Sequence, residues 1–342
     1  MSAPRAARSA LKAARTPAAK STAAPKQTSK PLPKRANPHL VTLTNSPYPL
    51  PSQTRISPRA LTIFGVGALG ISTYCGYLYA SYKREVKEAQ ALSIPEDVSD
   101  RYNHTARTFD GDVEVSEKLM RLGAKRRDLL SNARGDVLEV SCGTGRNLKY
   151  YDFDERRGLD AKGIPGIRGC RSVTFVDLSP EMVEIARGKS EKLHPELAKS
   201  GRVEFLTMDA RDVPAPEKSK STSSSLPLSL SLLQSQGRGY YDTIVQTMGL
   251  CSMPDPAGAL KHLGTITEPH DGRILLLEHG RSHYDWLNRV LDNLAPAHAD
   301  RHGCWWNRDI GQIVRDSGLE VVEEQRWHFG TTWRYVLRPK RP

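Results

Sequence analysis

The sequence predicts an α/β domain, a seven-stranded and mostly parallel sheet with helices on both faces, preceded by one N-terminal transmembrane helix. Two observations predict it. Past residue 130, short apolar runs of strand length alternate with segments whose apolar residues recur at helical spacing, the order that gives parallel strands joined by helical crossovers. Residues 60–82, ALTIFGVGALGISTYCGYLYASY, carry no charge over 23 positions. At about 1.5 Å per residue, a helix of that length crosses the roughly 30 Å hydrocarbon core of a bilayer.

The chain begins with a basic leader. Thirteen of the 50 lysines and arginines precede Glu85, the first acid, which leaves 37 bases against 38 acids in the rest. The net charge of +12 therefore belongs to the leader. A near-neutral remainder argues against a nucleic-acid partner, whose phosphates need clustered cations. Residues 1–59 are rich in Ala, Ser, Thr and Pro, and Arg5, Arg8, Lys12 and Arg15 are spaced for one face of a helix. Without acids and without the apolar run of a secretory signal, this is the composition of a mitochondrial transit peptide and linker.

The span at 60–82 is flanked by Arg55 and Arg59 before it and Lys83 and Arg84 after it, and Tyr74, Tyr77, Tyr79 and Tyr82 gather at one end as an interfacial belt would. The expected partner of this helix is the lipid bilayer. Ala68, Ser72, Gly76 and Ala80 step by four and offer a small-residue stripe to a second transmembrane helix. Residues 83–112 read as a linker and 113–340 as the folded domain. Its cysteines, Cys142, Cys170, Cys251 and Cys304, and Cys75 in the span contain no C-x-x-C, which argues against a zinc module and a disulfide scaffold. His302 and Cys304 are only half of a zinc site, and no metal is expected.

Within the domain, strands are expected at 136–140, 173–177, 203–207, 242–246, 273–278, 319–325 and 332–337. Helices are expected at 113–130, 146–151, 181–193, 255–263, 284–294 and 308–317. Two inserts interrupt the alternation. Residues 154–171 are rich in Gly and Arg and read as irregular, and 218–238, KSKSTSSSLPLSLSLLQSQGR, reads as a disordered surface loop.

The first four strands each end in residues suited to a ligand. The first runs into Ser141-Cys142-Gly143-Thr144-Gly145, where glycines let backbone approach a ligand at the carboxyl edge of the sheet. No Gly-Lys-Ser/Thr follows, which excludes a nucleotide P-loop. The second ends in Asp177, where a carboxylate can grip a ribose diol. The third ends in Met208-Asp209-Ala210 and the fourth in Gln246-Thr247-Met248.

The runs VLEVSCGTGRN, VTFVDLSPEMVEIAR, EFLTMDARDVP and YDTIVQTMGLCSM, in this order, resemble class I S-adenosylmethionine-dependent methyltransferases. The later GRILLLEHGRS and HGCWWNRDIGQIVRDSGL are similar to the subgroup that includes thiol methyltransferases and the fungal single-pass mitochondrial inner-membrane methyltransferases. The resemblance covers about 102–339 and implies a Rossmann-like fold and S-adenosylmethionine as cofactor. It implies that Glu139, Ser141, Gly143 and Gly145 wrap the methionine end, that Asp177 holds the ribose with Leu178 and Met182 packed nearby, that Asp209 and Ala210 meet the adenine, and that Gln246 sits by the methyl group. Two departures stand out. Ser141 occupies the place of the family's usual first glycine, and Asp177 lies 32 residues past Gly145, a longer interval than the roughly 20 of related dinucleotide folds.

Methyl transfer from a sulfonium needs alignment above all, and a base only where the nucleophile must lose a proton. Glu278 and His279, at the end of the fifth strand, are the candidate catalytic pair. The expected function is a single-pass inner-membrane methyltransferase of mitochondria acting on an unidentified acceptor. The alternative is a non-catalytic assembly or stability factor that keeps the fold as a cofactor-binding module.

Overall fold

The structure is a computed structural model that describes residues 57–159, 165–216 and 239–340. The leader at 1–56, expected to be a transit peptide, and the expected disordered loop at 218–238 lie outside the described residues. The chain divides into Met1–Val66, where only the start of the first helix is described, and Gly67–Pro342.

Helix α1 runs from Pro58 to Gln90 without a break. It is long and apolar enough to cross a membrane, and none of its apolar window is buried against protein. Leu69 and Ile71, for example, are exposed. The helix continues past the expected end of the span, and there its surroundings change. Val86 and Ala89 are buried, Tyr82 accepts a hydrogen bond from Asn293 at 2.9 Å, and Glu85 pairs with Arg301 at 3.7 Å.

Residues 83–112, expected as a linker, are therefore structured. After α1 come α2 (Arg101–Thr105) and α3 (Phe109–Leu119), tied to the domain by hydrogen bonds between Arg101 and Asp300, Tyr102 and Ser252, and Arg146 and Asp110. The single helix expected over 113–130 is two, because Arg121 adopts a left-handed conformation (φ 53°) between α3 and α4 (Leu122–Leu130).

Eight strands follow among the described residues: β1 (Arg134–Val140), β2 (Arg156–Leu159), β3 (Pro165–Asp177), β4 (Val203–Thr207), β5 (Thr243–Thr247), β6 (Arg273–His279), β7 (Glu320–Trp327) and β8 (Thr332–Arg338). The main sheet has the order β4-β3-β1-β5-β6-β8-β7, with β4, β3, β1, β5 and β6 paired in parallel and β8 antiparallel to both of its neighbours, β6 and β7. These are the seven expected strands. The eighth, β2, arises from the stretch expected to be irregular: β3 extends backward beyond the sheet and pairs there with β2 as an antiparallel hairpin.

Helices α5 (Pro180–Leu193), α6 (Pro195–Lys199), α7 (Pro256–Ile266), α8 (Asp285–His302) and α9 (Ile310–Ser317) complete the described elements. Three of their starts are written in the sequence. Ser179, Asp255 and Asp309 each accept a hydrogen bond from a backbone N–H of the first turn, and Pro180 and Pro256 occupy the first helical position, where no N–H is missed. The helix expected at 146–151 is only a 3-10 turn at Leu148–Tyr150, because Gly143 and Gly145 both adopt positive φ and the chain turns too tightly to begin an α-helix.

Alternate residues of the central strands serve the two faces. Leu138 and Val140 join Leu260, Leu263, Ile310 and Val314 on one side, while Val137, Phe175 and Leu275 join Leu129, Leu130 and Leu148 on the other. The registers align Val140 with Val176 and with Gln246, Asp177 with Thr207, and Thr247 with Leu277. The parallel strands thus finish at one edge, and the loops beyond it build the site.

Candidate active site

The turn after β1 is bent by three residues of positive φ, Ser141 (52°), Gly143 (54°) and Gly145 (76°). The two glycines serve different ends. A Cβ on Gly145 would lie 2.5 Å from Leu148 Cδ1 and 3.1 Å from Ala186 Cβ, so this residue lets the turn close onto α5. A Cβ on Gly143 would meet nothing within 4 Å, and Gly143 lines a cavity.

Asp177 lies in the same cavity, at the end of β3. Its Oδ2 accepts from the Gly143 N–H at 2.8 Å and its Oδ1 from the Ser179 N–H at 2.9 Å, which fixes both oxygens and leaves each with further accepting capacity. Burial raises its pKa above the ordinary range, against the lowering effect of those backbone donors. Ser141, Leu178, Met182, Asp209 and Ala210 also line the cavity. Asp209 is held by Arg211, whose Nη2 donates to Oδ2 at 2.6 Å and whose backbone N–H donates to Oδ1 at 2.8 Å. Its carboxylate consequently stays below the ordinary pKa.

Other residues expected at the site stand behind this lining. Gly145 packs inward, as above. Glu139 is buried, with Oε1 accepting from Asn147 at 3.0 Å and Oε2 from the Tyr151 hydroxyl; burial pushes its pKa up to about 7. Gln246 is fully buried and its Nε2 faces Met253 Sδ at 3.7 Å. Glu278 accepts from the Gly249 N–H at 3.1 Å, and burial raises its pKa well above the ordinary range. His279 Nε2 lies 2.8 Å from Cys304 Sγ.

The cavity also has walls that sequence reasoning placed in a linker. Tyr102 and Phe109 line it, edge-to-face at 6.1 Å between ring centroids, and the Tyr102 hydroxyl meets Ser252 Oγ at 2.8 Å. Just beyond, Asp110 accepts from Thr144 Oγ1 at 2.6 Å and from Arg146 Nη1 at 2.9 Å, and also pairs with Lys189. Glu117 accepts from Arg126 at 2.9 Å and from Arg146 at 2.7 Å. Arg126 also lines the cavity and donates to Asn147 and Thr247. The only signal in the sequence was the seven-residue interval between Tyr102 and Phe109, which puts two rings on one side of a helical path.

What this arrangement can do is hold a ligand with a diol and an extended polar tail. One carboxylate with two fixed oxygens faces one part of it, a glycine turn admits another, and Met182 and Leu178 supply apolar surface. Residues 103–324 match the family model of a methyltransferase domain. The chain is 39% identical over 245 residues to the mitochondrial methyltransferase OMS1 of Saccharomyces cerevisiae, an overlap of 71% of this chain and 46% of that protein. It is 30% identical over 97 residues to a malonyl-[acyl-carrier protein] O-methyltransferase of Acetivibrio thermocellus, 28% of this chain and 30% of that one. The matches thus span less than half the length of these curated relatives. Among solved structures, an O-methyltransferase family protein of Burkholderia thailandensis is similar with a TM-score of 0.45 and 16% identity, over 78% of this chain and 70% of that one.

Proposed function

The chain belongs to the methyltransferase-domain family, and we propose that it is an S-adenosylmethionine-dependent methyltransferase of mitochondria, held in the inner membrane by the single span of α1. The observation that carries the cofactor reading is Asp177, whose two oxygens are fixed by the Gly143 and Ser179 N–H groups at the floor of a cavity that Gly143 keeps open. When bound, the cofactor supplies an electrophilic methyl group on sulfur. Asp177 accepts from both ribose hydroxyls, Ser141 and Gly143 border the methionine end, Asp209 and Ala210 border the adenine, and Leu178 and Met182 pack against it. Glu139 and Gly145 act from behind by fixing the turn. Glu278 and His279 lie outside the lining, so the reading rests on alignment of the acceptor and exclusion of water rather than on a base. Alignment of that kind is worth about 7–11 kcal/mol in favourable cases.

Localisation rests on the mitochondrial relative and on a helix that is apolar, exposed and long enough to span. The stripe Ala68, Ser72, Gly76 and Ala80 gives that helix a face for a second one. Carbonate extraction of purified mitochondria should leave the protein in the membrane pellet, and recovery in the supernatant would remove the anchor from the reading.

Calorimetric titration of the full chain in detergent with the cofactor and its demethylated product tests the site. Asp177→Ala should weaken binding at least about fivefold, since an unmet buried polar group costs about 1–3 kcal/mol. If the unmutated chain binds neither compound, the methyltransferase reading fails. Binding without turnover on any offered acceptor would favour the assembly-factor alternative.

A further inference from the structure

Three side chains far apart in sequence meet beside the cavity. Cys251 lies in the loop between β5 and α7, His279 is the last residue of β6, and Cys304 follows the left-handed cap of α8 at Gly303. One ligand atom from each lies within 4.8 Å of the other two, and His279 Nε2 is 2.8 Å from Cys304 Sγ. Both cysteines are buried, and both are free thiols. We propose that Cys251, His279 and Cys304 form a zinc-binding site with three protein ligands.

Four observations carry it. The first is the donor set: two thiols and an imidazole suit zinc, and hard cations prefer oxygen. The second is geometry. Zinc–sulfur bonds of about 2.3 Å and zinc–nitrogen bonds of about 2.0 Å in a tetrahedron put ligand atoms roughly 3.5–3.8 Å apart. The observed atoms lie within 4.8 Å of one another, with His279 Nε2 and Cys304 Sγ closer than a bound ion would hold them, so small side-chain rotations bring the three onto one ion. The third is a backbone that holds the ligands together. The Trp305 N–H donates to the Cys251 carbonyl at 3.0 Å, and His298 Nδ1 donates to the Cys304 carbonyl at 2.8 Å. The fourth is an orphaned polar atom beside the ligands. Glu278 Oε2, on the residue next to His279, is buried without a hydrogen-bond partner among the described residues.

A site with three protein ligands keeps a fourth position for water or another oxygen or sulfur donor. Ser252, next to Cys251, lines the cofactor cavity and meets the Tyr102 hydroxyl, so the ion would stand one residue from the cavity wall. This assignment makes His279 a ligand rather than a base, and it does not depend on the methyltransferase reading.

The test is the metal content of the full-length chain, purified in detergent under reducing conditions without chelators. Mass spectrometry of the elements should find one zinc ion per chain, reduced to a small fraction of that in Cys251→Ser, Cys304→Ser and His279→Gln. Because these variants could fail to fold, cobalt(II) added to the metal-stripped natural chain gives a second readout. Thiolate-to-cobalt charge-transfer bands and the intense visible bands of a tetrahedral ion are expected, and zinc should abolish them. A folded, reduced chain that retains no zinc and shows no such bands overturns the proposal. Zinc that persists undiminished in the folded cysteine variants overturns it too, as an adventitious ion only. A Cys251–Cys304 disulfide in protein taken directly from cells, with no metal, also overturns it.

Discussion

At the scale of single residues, the turn after β1 concentrates both strain and opportunity. Ser141 holds a φ of 52° that costs a side chain about 1–2 kcal/mol. Ser141→Gly relieves that cost and gives part of it back as unfolded-chain entropy, so its melting temperature should equal or exceed that of the natural chain. Gly143→Ala should do the reverse. It adds about 1 kcal/mol of backbone strain and places a methyl group at the cavity lining, so scanning calorimetry should show a modest loss of stability and titration a much larger loss of cofactor affinity. Glu139 governs a pH effect. Its folded pKa of about 7 exceeds the ordinary 4.5, so between these values the native state retains a proton that the unfolded chain has released. The stability it contributes is complete below about pH 4.5 and lost as pH rises through 7, roughly 3 kcal/mol in all. Denaturant melts at a series of pH values should show this decline, and Glu139→Gln should remove that part of it. A variant that declines as steeply as the natural chain would assign the effect to other buried acids.

At the scale of elements, α3 and α4 are tied to the cofactor turn by one carboxylate. Glu117 receives Arg126, whose side chain is only 6% exposed, and Arg146 together. Glu117→Gln leaves a buried guanidinium without its counter-charge, a change worth roughly 3 kcal/mol. A fall of several degrees in melting temperature is expected, and an unchanged melt would mean that the hydrogen bonds Arg126 donates to Asn147 and Thr247 suffice. The elements differ in how legible they were. The main strands could be read because fully buried parallel strands are short apolar runs such as Val137-Leu138 and Leu275-Leu276-Leu277, and the helices because their apolar residues recur at helical spacing. Asp177 and Asp209 could be read because each ends a strand at the carboxyl edge. The hairpin of β2 and β3 could not, since its Arg- and Gly-rich strands have no buried face to impose alternation. Nor could Tyr102 and Asp110, which lie in short helices of polar composition and acquire their role from partners 34 or more residues away, Ser252 and Thr144. The Cys251, His279 and Cys304 cluster was invisible for the same reason, because only the sheet order brings these residues together.

At the scale of the whole chain, the cofactor site reaches further toward the N-terminus than the strands do. A chain beginning at residue 113 keeps the strands and loses Tyr102, Phe109 and Asp110. It should bind the cofactor at least about tenfold more weakly than a chain beginning at 85, a difference of about 1.4 kcal/mol. Equal affinities for the two would make the upstream helices mere covering. The unbroken course of α1 through Tyr82 to Gln90, fastened to α8 at Asn293 and Arg301, has a further consequence. A tether of flexible coil would let an anchored enzyme sample every bearing, whereas a continuous helix acts as a keyed shaft. Each residue of such a shaft turns the next by about 100°, so its length in residues sets a compass heading for the cavity mouth. For the membrane-anchored enzyme proposed above, that heading would decide whether an acceptor is met from the lipid plane or from the water above it.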